Sequence, residues 1–124
     1  MDRLNSLRGL LSVAALLTVL LFGNTAQAHA KLVSAEPASQ SVGTSPARIV
    51  LHFSEALAKN FSSFTLADSS GAPITLRSVD GADAKSLAAA PGGILAPGTY
   101  TVVWTAVASD DGHKSGGSFA FTVK

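Results

Sequence analysis

The sequence predicts an all-β fold, a two-sheet antiparallel sandwich of short strands. Three observations predict it. Apolar and polar residues alternate over short stretches, the period of a strand with one buried face. Ser, Thr, Gly and Pro punctuate those stretches where turns are needed. No long segment after residue 28 carries a helical period.

Lys31 to Ala35 is the first expected strand, stopped near Pro37, and Ser39 to Pro46 is polar and turn-rich. Arg48 to Phe53 alternates, with Ile49, Leu51 and Phe53 on one face and Val50 and His52 on the other. That puts His52 on the outer, exposed face. Ala56 to Asn60 is expected to form a short helical turn. Ser62 to Ala67 repeats the strand pattern through Phe64 and Leu66, and Asp68-Ser69-Ser70-Gly71 is a turn. Ile74 to Val79 reads as one strand and Lys85 to Ala89 as a weaker one. Pro91 to Gly98 is a loop. Thr99 to Val107 carries the clearest pattern, with Tyr100, Val102, Trp104 and Ala106 sharing a face. Ser118 to Val123 closes the domain with Phe119, Phe121 and Val123 inward. About seven such strands fit a Greek-key, immunoglobulin-like sandwich. Tyr100 opens a long late strand, where sandwiches place a tyrosine whose hydroxyl ties down a loop. Trp104 is expected in the core.

The first 28 residues read differently. Arg3 and Arg8 precede an apolar run from Leu10 to Phe22, and Ala26-Gln27-Ala28 is a small-residue cleavage triplet. The run falls short of the roughly 20 residues of a membrane span. Together these features predict a secretory signal peptide over residues 1–28, cut after Ala28, and a single domain over residues 29–124. The expected location is the periplasm.

The whole chain carries nine basic and eight acidic residues. Arg3, Arg8 and Asp2 leave with the signal, so the remaining domain is formally neutral. That disfavours nucleic acid and anionic membrane as partners. There is no cysteine, and the single methionine is Met1. The mature domain therefore has neither thiolate nor thioether, and any metal must be held by nitrogen and oxygen. No Ser-His-Asp order, phosphate loop or paired-carboxylate site stands out, and no small organic substrate is expected.

Cleavage after Ala28 makes His29 the first residue, with a free α-amine and an imidazole able to chelate one ion. Near the other end stands Asp110-Asp111-Gly112-His113. In an extended segment Asp111 and His113 point the same way and Asp110 points away. Gly112 relieves crowding between them. Read alone, Asp-Gly-His is also a common solvated turn. If the two fragments meet, one amine, two imidazoles and one carboxylate suit tetragonal Cu(II), while the same atoms could close tetrahedrally on zinc. Asp68, Asp80 and Asp83 read as solvated turn carboxylates.

Several motifs together resemble the CopC family of periplasmic copper-resistance proteins, including its short YobA-like members. They are His29-Ala30, Leu51-His52-Phe53-Ser54-Glu55, Pro97-Gly98-Thr99-Tyr100-Thr101-Val102-Val103-Trp104, and Ser109-Asp110-Asp111-Gly112-His113 with the Gly-rich, Phe-containing last strand. The similarity spans the mature region. It implies a β-sandwich that binds one Cu(II) per chain through His29, Asp111 and His113. It also implies a glutamate close to these ligands, here Glu55, which would hydrogen-bond the terminal amine or orient an imidazole; the plain alternative is an exposed strand-end carboxylate. Some relatives carry a methionine-rich Cu(I) site, from which this chain departs. Cooperation with an inner-membrane copper transport protein of the CopD type is a further implication.

The expected function is thus a non-enzymatic Cu(II) binder that sequesters or carries copper for homeostasis or resistance. The rival is a copper-dependent oxidase using an N-terminal histidine brace, as in lytic polysaccharide monooxygenases. Against it stand Asp111, an anion that disfavours Cu(I), and the lack of an evident aromatic surface for a glycan. A sandwich serving adhesion or interaction, with no metal, is the third reading.

Overall fold

A computed structural model describes residues 29–124. The expected signal peptide and its cleavage site lie outside the described residues. Nine strands follow in order: β1 (Leu32–Glu36), β2 (Val42–Gly43), β3 (Ile49–Phe53), β4 (Ser63–Ala67), β5 (Pro73–Ile74), β6 (Leu76–Ser78), β7 (Ser86–Pro91), β8 (Gly98–Val107) and β9 (Lys114–Val123). They form two sheets, β1-β3-β7-β6 and β2-β9-β8-β4-β5. The chain changes sheet repeatedly, which is the connectivity of a Greek-key sandwich.

The strand periodicity fixes the core. In β8 the burial of Tyr100, Val102, Trp104 and Ala106 alternates with exposed Thr101 and Val103. In β9 the inward set is Phe119, Phe121 and Val123, and in β3 it is Ile49, Leu51 and Phe53. These side chains form one continuous cluster between the sheets. Fully burying a Leu, Ile, Val or Phe contributes about 1.5–3 kcal/mol, so this layer holds the domain without disulfides. Phe53 meets Trp104 edge-on, with ring centroids 5.2 Å apart. At Gly117 a β-carbon would lie 2.7 Å from Cζ2 of Trp104, so the indole occupies the space a side chain would need.

The Tyr100 hydroxyl donates to the carbonyl of Ala96 at 2.7 Å, tying down the loop before β8 as expected. Other expectations are corrected. The described residues form nine strands rather than about seven, because two-residue β2 and β5 carry no period. The sandwich is not purely antiparallel: β2 runs parallel to β9, Val42 opposite Thr122. The stretch read as one strand from Ile74 to Val79 divides at Thr75, with Ile74 pairing in one sheet and Leu76–Ser78 in the other. Alternation reports which face is buried, not which sheet supplies the hydrogen bonds. The helical turn is 3-10 and covers Lys59–Phe61. No helix among the described residues is long and apolar enough to cross a membrane.

Candidate metal centre

Two pieces of chain meet at one end of the sandwich. The first is the connection between β8 and β9. Its base is closed by the Ala108 N–H donating to the carbonyl of His113 at 3.0 Å and the Gly112 N–H donating to the carbonyl of Ala108 at 3.0 Å. Leu57 forms an isolated bridge with Ala108, and the Ser109 N–H reaches the carbonyl of Ala56 at 2.9 Å. The turn is thereby fixed to the segment after β3.

Within that turn, Oδ1 of Asp111 accepts the backbone N–H of His113 at 3.0 Å, and Oδ2 lies 2.8 Å from Nδ1 of His113. This is an Asx turn, made possible by Gly112 at φ 70°. Asp111 and His113 do converge, but the expected extended alternation is not the reason. Residues 109–111 form a turn, and the carboxylate wraps back over the residue two positions on. The His113 backbone N–H, then the His113 ring and the charge of the two imidazoles, hold the Asp111 carboxyl below its ordinary range. It is ionised at neutral pH. Asp110 is exposed beside it.

The second piece is residues 29–31. Ala30 is 1% exposed and plugs into the core. The Ser54 hydroxyl, just past β3, accepts the Lys31 N–H at 3.0 Å and contacts the His29 carbonyl at 3.5 Å. The Ser115 hydroxyl, from β9, donates to the carbonyl of Ala30 at 2.6 Å. So anchored, the His29 ring lies against that of His113, centroids 4.8 Å apart and tilted by 48°.

The structure thus brings His29, Asp111 and His113 together. Glu55 follows Ser54 and is half-buried, and among the described residues it makes no hydrogen bond or ion pair to that trio. His52 is not simply exposed, as its strand position predicts. Its Nδ1 lies 3.0 Å from the Ser86 hydroxyl and its Nε2 3.7 Å from a Glu36 oxygen. β3 is an interior strand, so neighbours on β1 and β7 partly cover its outer face. Asp68 and Asp83 act as turn clamps rather than idle charges. Oδ1 of Asp68 accepts the N–H and hydroxyl of Ser70 and the N–H of Ala72, while Oδ1 of Asp83 accepts the Lys85 N–H. Sequence reasoning missed the anchoring roles of Ser54 and Ser115. Ser54, just past β3, and Ser115, in Gly-rich β9, give no signal beyond composition.

Among the described residues no group of three or more His, Cys, Asp or Glu is placed to hold a metal ion by itself. The trio is an open arrangement of borderline nitrogen and hard oxygen donors, with His113 exposed. Such donors fit a divalent transition metal and do not fit a soft cuprous ion.

Comparison with known proteins accords with this chemistry. The chain is 41% identical over 112 residues to Copper resistance protein C of Pseudomonas syringae pv. tomato, covering 85% of this chain and 88% of that one. It is 38% identical over 120 residues to Protein YobA of Escherichia coli strain K12, covering 94% and 96%. Among solved structures it is similar to PcoC, a methionine-rich copper resistance protein from Escherichia coli, with TM-score 0.72, 39% identity and coverage of 78% and 100%. It is also similar to CopC from Methylosinus trichosporium OB3b, with TM-score 0.69, 28% identity and coverage of 77% and 94%. The CopC domain matches residues 32–124, from the start of β1 through the end of β9, and the chain belongs to the CopC family.

Proposed function

We propose that this protein is exported, is cut after Ala28, and binds one Cu(II) in the periplasm without catalysing a reaction. It holds the ion for sequestration or delivery. The ligands are the α-amine and imidazole of His29, the imidazole of His113 and the carboxylate of Asp111. The observation that carries this reading is the approach of the His29 and His113 rings to 4.8 Å, with Asp111 bonded to the second. Three side chains alone do not close a ligand group, and the amine freed by cleavage is the donor that completes a four-atom set.

Asp111 serves two purposes. Its contact with Nδ1 orients the His113 ring and leaves Nε2 for a metal. Each carboxylate oxygen also keeps acceptor capacity beyond the bond it makes to His113. The anion favours Cu(II) over Cu(I), and the sulfur-free mature chain does the same. The open position of the turn suits a cargo that must enter and leave. Glu55 lies beside the Ser54 anchor and is the carboxylate available to the terminal amine. Handing copper to an inner-membrane protein of the CopD type is consistent with family membership.

The test is the N-terminal mass of exported protein together with its metal content. A chain beginning at His29 with one copper is expected. An uncleaved chain, or one loaded with a different metal in stoichiometric amount, overturns the proposal.

A further inference from the structure

We infer that Ser115 is a positioning residue for the copper centre: its hydroxyl fastens the His29 segment to β9, the strand that directly follows His113. This rests on the function proposed above. Alternation in β9 puts Ser115 and Gly117 on the inward face with Phe119, Phe121 and Val123. At the metal end this face holds small residues, because Trp104 fills the space at Gly117 and Ala30 enters from the other sheet's side. A polar serine in that row needs a partner. It finds the carbonyl of Ala30 at 2.6 Å, and its own cross-strand neighbour's carbonyl, that of Ala106, is a distant second at 3.5 Å. The short bond therefore runs from β9 to the segment before β1 rather than within one sheet.

Its position gives the bond leverage. Ala30 is the residue after His29, and Ser115 is two residues beyond His113. Ser54 holds the same segment from β3, but its bonds run to His29 and Lys31 backbone atoms on its own sheet's side. Among the described residues, the Ser115 hydroxyl makes the one hydrogen bond that links this segment directly to β9. Without it, the His29 chelate could drift relative to His113 while both anchors at Ser54 and the Asp111 turn stayed intact. A half-buried hydroxyl–carbonyl bond contributes about 0.5–1.5 kcal/mol net. If that restraint acts on the bound geometry, removing it weakens Cu(II) binding by roughly twofold to twelvefold.

The experiment uses chains beginning at His29 and compares Ser115→Ala with Ser115→Thr, which keeps a hydroxyl. One arm needs no metal: a nuclear Overhauser contact between the His29 and His113 rings in the apo protein. It should be present in the parent, weakened in Ser115→Ala and restored in Ser115→Thr. The second arm is Cu(II) titration with electron paramagnetic resonance. Ser115→Ala should bind more weakly, with broader lines from a less uniform geometry, and Ser115→Thr should recover both. An unchanged ring contact and unchanged copper spectrum in Ser115→Ala overturn the positioning role. Failure of the parent chain to bind Cu(II) overturns the proposed function and the copper half of this inference, while the ring contact still decides whether Ser115 is a clamp.

Discussion

Trp104 stands where any side chain at Gly117 would have to be. A β-carbon there would fall 2.7 Å from Cζ2 and 3.0 Å from Cε2 of the indole. The indole is buried and also meets Phe53 edge-on, which limits how far it can yield.

Gly117→Ala is therefore expected to destabilise the apo domain by about 1–3 kcal/mol, the usual cost of overpacking. For a domain of this size that lowers the melting temperature by roughly 5–20 °C. Thermal denaturation followed by circular dichroism checks it. Trp104→Phe in the same chain makes room and should make the glycine substitution less costly. Additive effects of the two changes would count against this steric account.

Tyr100→Phe should remove about 1 kcal/mol with the hydroxyl bond to Ala96. Tyr100 lies at the start of β8 and the Asp111–His113 turn of the proposed site follows its end, so copper titration should be unaffected. A change in Cu(II) affinity would mean that the two ends of the sandwich are coupled.

Asp111→Asn should weaken Cu(II) binding by at least the roughly 10- to 100-fold typical of losing a partner that orients a ligand. His113→Ala should cost more, and Asp110→Asn little. All three should fold, because the turn is exposed. Competition titration gives the affinities. A strong effect at Asp110 with none at Asp111 would reassign the carboxylate.

Lengthening the chain by one residue before His29 turns the α-amine into an amide and should sharply reduce Cu(II) affinity. Amine and imidazole must shed protons to bind metal, so the extended form should also release fewer protons per copper. Calorimetry in buffers of different ionisation enthalpy counts them. Equal affinity and equal release would remove the amine from the ligand set. With the authentic terminus, Cu(II) at about 1,000 times Kd should add about 4 kcal/mol of stability, and Cu(I) much less. Oxygen consumption with reductant should stay at the level of free copper; enzymatic turnover would favour the oxidase reading.

Asp68 supplies a pH test of the fold. The Ser70 hydroxyl, then the Ala72 and Ser70 N–H groups, hold its carboxyl below the ordinary range. A carboxyl lowered by folding stabilises above its unfolded value, and the contribution is lost as pH falls through the folded value. Urea midpoints of the parent and Asp68→Ala should thus differ most near neutral pH and approach each other in acid, below about pH 4. A gap that widens in acid would contradict the clamp.

Long alternating strands were legible in the sequence because each has one face in the core. The inward rows of β3, β8 and β9 match their predicted residues. Two-residue β2 and β5 were not, since two residues carry no period, and Thr75 gives no sign that it divides two sheets. At the site, chemistry was easier to read than geometry. The residue types of His29, Asp111 and His113 singled them out, yet the turn that joins the last two depends on a side chain folding back on its own backbone. Ser54 and Ser115 act through single hydroxyls on distant backbone, a relation that exists only once the sheets have assembled.

The carbonyl of Ala30 and the hydroxyl of Ser115 are 85 positions apart in the chain. The two imidazoles beside them come, in the same way, from the first and the nearly last parts of the described protein. A chain interrupted before His113 lacks one ring, and also lacks β9, the strand on which β8 and β2 pair. Contacts of such long sequence separation close late, because the intervening loop entropy must be overcome first. The ring pair is therefore a property of the finished protein alone. If copper is held as proposed, a polypeptide that has not yet delivered His113 presents His29 without its partner ring and no centre, so the ability to hold copper would double as a record that synthesis and folding have run to completion.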